Sequence, residues 1–371
     1  MIKIYIKFPL LLIILLFVSS CKPKIDDVKK FHKQLLTIDT HVDIPIKLVE
    51  DSTYNPDKRH TIEDSHARTD FPRMDEGGLD AIVFVVWTAQ HECDNLHRAE
   101  VNKKAHEIID RIYSVISASN KAEIAFTPND ILKINTEGKH PVLIGMENGY
   151  PIGTDIKNVE HFYNLGVRYI TLCHVEDNDI CDSSTDESED EGLTDFGVKV
   201  IKEMNRLGII IDVSHISDSS FYQVIRFSKA PVLASHSNAR ALCNHPRNLS
   251  DKMLKLLAQN GGVVDVNFYT GYLVKSDDDS TESSATIDDV LNHIDYIAKL
   301  IGTDHVGIGS DFDGGGHVKG LEDVSQMANI TKGLLARGYS QEDIRKIWSG
   351  NFLRLFRSVE KVAKKMKNSK L

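Results

Sequence analysis

A set of apolar runs is the feature of this sequence that most constrains its fold. Six of the runs end in a side chain that can bind a metal or transfer a proton, and they cover residues 36–41, 142–147, 169–174, 209–215, 232–236 and 306–311. Two more runs, 79–87 and 263–268, bring the total to eight. Continuous apolar runs separated by helix-like segments are typical of buried parallel strands. Eight strands alternating with helices predict an α/β fold, a (β/α)8 barrel of the TIM type, with its active site at the strand C-termini.

The segments between the runs predict helices and two kinds of loop. Several segments, among them 194–207, 217–228 and 250–260, open with Ser or Thr, which are good helix N-caps. Residues 51–75 are polar, contain few apolar positions and predict a long loop. The acidic run 186–191 is interpreted as the solvated tip of a second loop, with a cation-binding loop as the alternative.

The N-terminus has the layout of an export signal. Lys3 and Lys7 precede the apolar stretch 8–18, which is shorter than the roughly 20 residues that span a bilayer. The following Val18-Ser19-Ser20-Cys21 resembles the lipobox of bacterial lipoproteins. We therefore predict a signal peptide at residues 1–20, lipidated Cys21 and a tether at 21–30, and one barrel domain at 31–371. A plain signal peptide or a buried apolar helix is the alternative.

This leader predicts a protein that is exported and held by its lipid on the periplasmic or cell-surface side of a bacterial membrane, without spanning it. The formal net charge of −10 argues against a nucleic-acid partner, because phosphate binding needs clustered Lys and Arg. Four cysteines follow the leader, and Cys173 and Cys181 flank a short acidic loop where they could pair. No Cys-x-x-Cys spacing is present, which argues against a cysteine zinc site.

Five side chains at strand ends are candidate metal ligands. His41 and Asp43 are two residues apart, so in an extended strand they point to the same side and suit zinc. Glu147 has two oxygens and could bridge two metals. His215 and His236 end neighbouring strands and predict a second metal site. The alternative for His41 and Asp43 is a structural role. The alternative for His215 and His236 is that they are hydrogen-bonded residues of the core.

Three further residues are candidates for substrate binding and catalysis. His174 ends the fourth of the eight predicted strands and could be another ligand or could polarise the substrate carbonyl and its oxyanion. Asp311 ends the last strand, where a carboxylate facing an activated water can accept and donate a proton. Arg247 follows the strand of His236 and could bind a substrate carboxylate through two hydrogen bonds.

These residues lie in motifs that resemble the membrane (renal) dipeptidase family of dinuclear zinc peptidases. The resemblance covers nearly all of the chain after the leader. The matching segments, in order, are Asp39-Thr40-His41-Val42-Asp43, Met146-Glu147-Asn148-Gly149, Gly166-Val167-Arg168-Tyr169-Ile170-Thr171-Leu172-Cys173-His174, Met204-Asn205-Arg206-Leu207-Gly208, Asp212-Val213-Ser214-His215, Ala234-Ser235-His236-Ser237, Arg247-Asn248-Leu249 and Asp311-Phe312-Asp313-Gly314.

The resemblance implies two zinc ions (Zn2+) per chain and hydrolysis of dipeptides by a hydroxide that bridges them. It implies that His41 and Asp43 bind one ion, that His215 and His236 bind the other, and that Glu147 bridges the two. It further implies that small dipeptides are the substrates and that the protein is a homodimer.

For the remaining residues, the resemblance implies that His174 contacts substrate, Arg247 holds the dipeptide carboxylate and Asp311 handles the proton. Asn148 stands where the family more often has glycine, and a left-handed backbone tolerates Asn. The rival interpretations are hydrolysis of another amide or a lactam on the same barrel, and a binding lipoprotein without catalysis.

Overall fold

The structure, a computed structural model, describes residues 25–186, 191–275 and 285–369, and these residues form the predicted barrel. Every strand pair is parallel, and the strands follow one another in the order β1-β2-β4-β5-β6-β7-β8-β9. The strands are β1 (Ile38–Val42), β2 (Ala81–Trp87), β3 (Ala122–Ile124), β4 (His140–Glu147), β5 (Val167–Thr171), β6 (Ile210–Asp212), β7 (Leu233–Ala234), β8 (Val263–Val266) and β9 (Val306–Ile308). The eight predicted strands are therefore confirmed, and the short β3, which pairs with β4 alone, is an addition.

The barrel closes where the last strand meets the first. A parallel bridge joins Val42 to Phe312, just beyond β9. The backbone N–H of Asp311 donates to the His41 carbonyl over 3.0 Å, and that of Asp43 donates to the Phe312 carbonyl over 2.9 Å. Closure therefore brings together two segments from opposite ends of the chain, and both carry predicted site residues.

Helices surround the barrel and continue to the C-terminus. The α-helices are α1 (Ile25–His32), α2 (Ile44–Glu50), α3 (Ile62–Ser65), α4 (Phe71–Gly77), α5 (Asn95–Ala118), α6 (Pro128–Thr136), α7 (Lys157–Asn164), α8 (Asp195–Leu207), α9 (Asp218–Phe227), α10 (Asp251–Gln259), α11 (Thr270–Leu273), α12 (Ile287–Ile301), α13 (Ala328–Ala336), α14 (Gln341–Arg345) and α15 (Asn351–Asn368). Short 3-10 turns occur at Tyr150–Ile152, Thr303–His305 and Val324–Gln326, and a π-turn at Lys346–Gly350 precedes α15.

The sequence predicted the caps of several helices correctly and one loop wrongly. Thr194, Ser217 and Ser250 each accept a hydrogen bond from a backbone N–H in the first turn of the helix that follows. The segment 51–75 is not one long loop, because it contains α3 and most of α4. Thr61 and Asp70 cap these two short helices, which a search for long apolar periodicity misses.

Successive residues of a strand point alternately towards the surrounding helices and towards the barrel interior. In β2, Ile82, Phe84 and Val86 pack outward against the surrounding helices, whereas Val83 and Val85 face the interior. The interior group also includes Tyr169, and α15 contributes Phe352 and Phe356 to the same cluster. Gly145 makes room for the Tyr169 ring, since a Cβ at residue 145 would lie 2.3 Å from it. Packed side chains thus fill the barrel below the strand C-termini and support the site from beneath.

Several sequence predictions lie wholly or partly outside the described residues. These are the signal peptide, Cys21 and the start of the tether, together with most of the acidic run 186–191. No helix among the described residues is both long and apolar enough to cross a membrane. Cys173 and Cys181 are buried free thiols, so the pairing that the sequence left open is not formed in the structure.

Candidate metal centre and substrate cavity

The predicted site residues come together at the C-terminal ends of the strands. A cavity of about 370 Å³ opens there. Its lining contains seven of the eight residues, namely Asp43, Glu147, His174, His215, His236, Arg247 and Asp311. The eighth, His41, is fully buried and lies directly behind Glu147, with 3.4 Å between His41 Nε2 and Glu147 Oε2. Six strands that are distant in sequence therefore bring residues at or just beyond their C-terminal ends to one site.

Glu147 is the centre of this cluster. Its Oε1 lies 2.9 Å from His215 Nε2 and 3.2 Å from His236 Nε2. The other oxygen faces His41, whose Nε2 is also 3.6 Å from Asp43 Oδ2. One carboxylate thus contacts imidazoles from both pairs of ligand candidates.

Three overlapping groups of ligand atoms could each hold an ion. Within every group the atoms lie within 4.8 Å of one another, and the groups are His41, Glu147 and His236; Glu147, His174 and His215; and His41, Asp43 and Asp311. Glu147 and His41 each belong to two groups, so neighbouring ions would share ligands. His174 and Asp311 also fall within these groups, although the sequence favoured substrate and proton roles for them.

Unsatisfied polar atoms show that the cluster fits cations. Among the described residues, His41 Nε2 and both oxygens of Asp43 are buried without a hydrogen-bond partner. Burying such groups without compensation is costly. Imidazole and carboxylate ligands together suit zinc, whose bonds to both are short and strong. The residues present therefore fit the metal ions that the sequence predicted.

The pKa shifts of two histidines favour metal binding, whereas those of His41 and of two carboxyl groups favour the protonated forms that a cation would displace. Burial lowers the pKa of His215 and that of His236 well below the ordinary value, which keeps both imidazoles neutral and able to bind a metal. Burial raises the pKa of Asp43 well above its ordinary value, despite the nearby His41. Burial also raises the pKa of Asp311, to about 6, and the charge of Glu147 adds to this rise. Cations bound here would relieve this crowding of carboxylates.

Hydrogen bonds behind two imidazoles fix their orientation. The Tyr169 hydroxyl donates to the Thr40 carbonyl over 3.1 Å, so at 2.9 Å it can accept the proton of His41 Nδ1. Ser235 Oγ donates to Asp212 Oδ2 over 2.6 Å and can accept from His236 Nδ1 at 2.8 Å. In both histidines the lone pair of Nε2 is then left for a metal, the arrangement typical of metal-binding His.

Sequence reasoning gave no role to Tyr169, Ser235 or Asp212 in this arrangement. Ser235 directly precedes His236, and Tyr169 lies in the strand that leads to His174. All three are buried. Their position a few residues before His174, His215 and His236 in the same runs is a signal that could have found them.

The backbone is strained at the places where strands end. His215, Asp311 and Asp313 have φ of 72°, 65° and 67°, in the left-handed region that residues other than glycine rarely adopt. Asn148 has φ of 78°, which confirms that a left-handed backbone accommodates Asn where glycine was expected. Sharp turns after the strands aim these side chains into the cavity.

Asn148 also ties together three loops. Its Nδ2 donates to the Thr88 carbonyl and to Gln90 Oε1, at 3.2 and 3.1 Å. Its Oδ1 accepts from the Tyr150 N–H and from Asn178 Nδ2, at 3.1 and 3.0 Å. A glycine could make none of these side-chain contacts, so Asn148 holds together the loops that follow β2, β4 and β5.

Arg247 and His174 both line the wall of the cavity. Arg247 is 3% exposed, donates to the His236 carbonyl over 3.1 Å and lies over the Tyr272 ring. Its Nε has no hydrogen-bond partner among the described residues. The His174 ring meets the edge of Trp87, and burial lowers the His174 pKa, which favours a neutral imidazole. The Arg247 guanidinium can thus bind an anionic group in the cavity, on the side opposite β2, the strand of Trp87.

Comparison with known proteins decides the family. A model of the membrane dipeptidase family, peptidase family M19, matches residues 25–370. The chain belongs to this family. Its fold and its cluster of ligand residues are those of a dipeptidase-type metalloenzyme.

Relatives and solved structures agree with this assignment. Dipeptidase tcpJ of Claviceps purpurea is 36% identical over 323 residues, covering 84% of this chain and 74% of that protein. The probable dipeptidase PvdM of Pseudomonas aeruginosa superposes with a TM-score of 0.83 at 29% identity, covering 91% and 98% of the two chains. A metallopeptidase of Rhodobacter sphaeroides, solved with a phosphinate mimic of the dipeptide L-Ala-D-Ala, gives a TM-score of 0.80 at 26% identity, covering 88% and 99%. The chain spans 60% of the length of human Dipeptidase 3.

Proposed function

We propose that this membrane dipeptidase family member hydrolyses the peptide bond of small dipeptides with the help of two zinc ions. The observation that carries the proposal is the convergence of the ligand cluster around Glu147 with Arg247 in one cavity of about 370 Å³. The phosphinate dipeptide mimic bound to the Rhodobacter sphaeroides metallopeptidase supports a dipeptide as the substrate. A cavity of this size suits a small ligand far better than a long peptide.

His41 and Asp43 would hold one ion, His215 and His236 the other, with Glu147 between them. Two zinc ions bound there would lower the pKa of a water and polarise the scissile carbonyl. Arg247 binds the substrate carboxylate and fixes its orientation. His174 contacts the carbonyl oxygen, and its imidazole stabilises the negative charge that develops there. Asp311 accepts a proton from the attacking water and delivers it to the leaving amine.

The second candidate is hydrolysis of another amide or of a lactam. The same cluster could attack such bonds, because a barrel of this kind supports many reactions. A dipeptide differs from these substrates by its free amine, which the carboxylates around the cluster can bind. The discriminating comparison is therefore between a dipeptide and its N-acetylated form.

Zinc-loaded protein assayed with Ala-Ala in its four stereochemical forms, and with N-acetyl-Ala-Ala, tests the proposal. We expect hydrolysis of at least one free dipeptide and a kcat/KM for the acetylated form that is lower by about 100-fold, since a lost hydrogen-bonded charge costs several kcal/mol. Equal rates on both forms would favour the second candidate. No hydrolysis of any free dipeptide would contradict the proposed function.

Removing the guanidinium of Arg247 is expected to weaken substrate binding more than it slows the chemistry. In Arg247→Ala we expect KM to rise by about 10-fold or more with a smaller change in kcat, because the clamp acts in the ground and transition states alike. A dipeptide with a C-terminal amide is the control: wild type should discriminate against it, and Arg247→Ala should not. If both proteins discriminate equally, Arg247 is not the carboxylate clamp.

We also propose that the protein is exported and anchored to a bacterial membrane through lipidated Cys21. Wild-type protein is then expected in the membrane fraction, and Cys21→Ala in the soluble fraction or unprocessed. Cys93→Ala is the matched control, since Cys93 is an exposed thiol outside the leader. Soluble wild-type protein whose N-terminus lies away from Cys21 would contradict the anchor. The homodimer stays a prediction, for which a sedimentation measurement is decisive.

A further inference from the structure

A second cavity lies beside the metal cluster. It has a volume of about 300 Å³, at the lower end of the range for ligand pockets. Its walls come from α2, from α5 and from the loop after β2, and they include the apolar side chains Val49, Ala89, Val101 and Ile108. Charged groups such as Glu50, Glu100 and Lys104 also line it and are exposed. The cavity is therefore apolar along the helices and has charges where it meets solvent.

Two side chains belong to both cavities. Ile46 and Trp87 line the second cavity as well as the cavity around the metal cluster. Trp87 also touches His174, with 5.8 Å between the ring centroids. Both Ile46 and Trp87 are partly exposed, and Trp87 also packs against the hydrophobic cluster of the barrel interior. The second cavity thus begins directly behind the wall that faces a bound substrate.

The order of the strands gives the direction in which a substrate would lie. Arg247 follows β7, whereas Trp87 ends β2, and in the closed ring of eight strands β2 and β7 are diametrically opposite. A carboxylate held by Arg247 places the C-terminal residue of a dipeptide on the β7 side. The N-terminal residue then lies across the metal cluster, next to Ile46 and Trp87.

We propose that the second cavity is the subsite for the side chain of the N-terminal residue, and that it takes a large apolar side chain such as that of Phe or Leu. The proposal rests on the proposed dipeptidase function. Water in contact with the apolar walls finds few hydrogen-bond partners. An apolar side chain that displaces this water therefore stabilises the bound substrate. The volume leaves room for an aromatic ring once Ile46 and Trp87 turn aside.

The test compares Phe-Ala, Ala-Phe, Lys-Ala and Ala-Ala as substrates of wild type and of Val101→Phe, a substitution that fills the second cavity. Val101 does not line the metal cavity. Val115→Phe, on the same helix but outside both cavities, is the matched control. Val49→Phe fills the same cavity from α2. It is the second filling variant and replaces Val101→Phe if that variant does not fold. Zinc content is measured for every variant.

In wild type we expect kcat/KM for Phe-Ala to exceed that for Ala-Ala by about 10-fold or more. Val101→Phe should abolish this preference while leaving Ala-Ala turnover and zinc content near wild type, and Val115→Phe should change neither. A preference that survives in both filling variants overturns the subsite. If Val101→Phe lowers kcat/KM for Ala-Phe alone, the second cavity does not take the N-terminal side chain and the proposed orientation is wrong. If wild type prefers Lys-Ala to Phe-Ala, the subsite is not apolar. Hydrolysis of none of the four would instead contradict the proposed function.

Discussion

Replacing Asp311 by Asn is expected to lower kcat by about 100-fold or more, the usual size of a general acid–base contribution. Asn has nearly the same shape but cannot accept the proton of the attacking water. The side chain is held in place, since Asn267 Nδ2 donates to Asp311 Oδ2 over 3.0 Å. The left-handed backbone at residue 311 also tolerates Asn. Steady-state kinetics with the best dipeptide measures the effect.

Metal analysis separates this role from metal binding. Asp311 belongs to the ligand group of His41 and Asp43 and could therefore bind a metal itself. The zinc content of the Asp311→Asn variant is thus the decisive control. We expect zinc in Asp311→Asn to stay near the wild-type level. Asp313→Asn is the matched variant: Asp313 also lines the cavity at a positive φ, but it accepts from the Arg68 N–H over 2.7 Å and is in none of the three ligand groups found among the described residues. It should change kcat far less. A near-normal kcat in Asp311→Asn would refute the proposed proton transfer, and loss of zinc would make Asp311 a ligand.

The largest effect on metal content is expected from removal of a histidine in the cluster. Wild-type protein should bind about two equivalents of zinc, and His215→Ala should retain about one. His215 Nε2 lies 2.9 Å from Glu147 Oε1, whereas Asp43 lies beside His41. Removal of His215 should therefore affect the ion that His41 and Asp43 do not hold. Turnover should fall with the lost ion, since the proposed role of the two metals is to activate the water. Inductively coupled plasma spectrometry after zinc loading and removal of free metal gives the stoichiometry.

His106→Ala is the matched control, because His106 lies on α5 outside the metal cavity. It should keep both equivalents. A wild-type stoichiometry of one or below after zinc addition would exclude the dinuclear site. If His215→Ala still binds as much zinc as wild type, His215 is not a ligand, and His174, which shares its ligand group, becomes the candidate.

The strands and the residues that end them could be predicted because both are local properties of the sequence. A strand buried on both faces needs a continuous apolar run, and a reactive residue at its end interrupts that run visibly. Glu147, His174 and Asp311 were found in this way, Asp43 was found by its spacing from His41, and all four line the cavity. The left-handed backbone at Asn148 was also predictable, since Asn stood where glycine was expected.

Other features depend on contacts between segments that are far apart in sequence. The short helices α3 and α4, which Thr61 and Asp70 cap, are an exception: their caps are local, but the helices are too short for apolar periodicity to detect. The hydrogen bonds from His41 to Tyr169 and from His236 to Ser235 follow from side-chain directions inside the barrel.

The sequence by itself thus determined the barrel, the order of its strands and the set of side chains at their C-termini. Only the tertiary structure decided how Glu147 meets His41, His215 and His236, and that a second cavity lies behind Ile46 and Trp87. The physical reason is barrel closure. Which strand ends face one another, and how much space their loops leave, is fixed only when the backbone of Asp43 bonds to that of Phe312 and joins the last strand to the first.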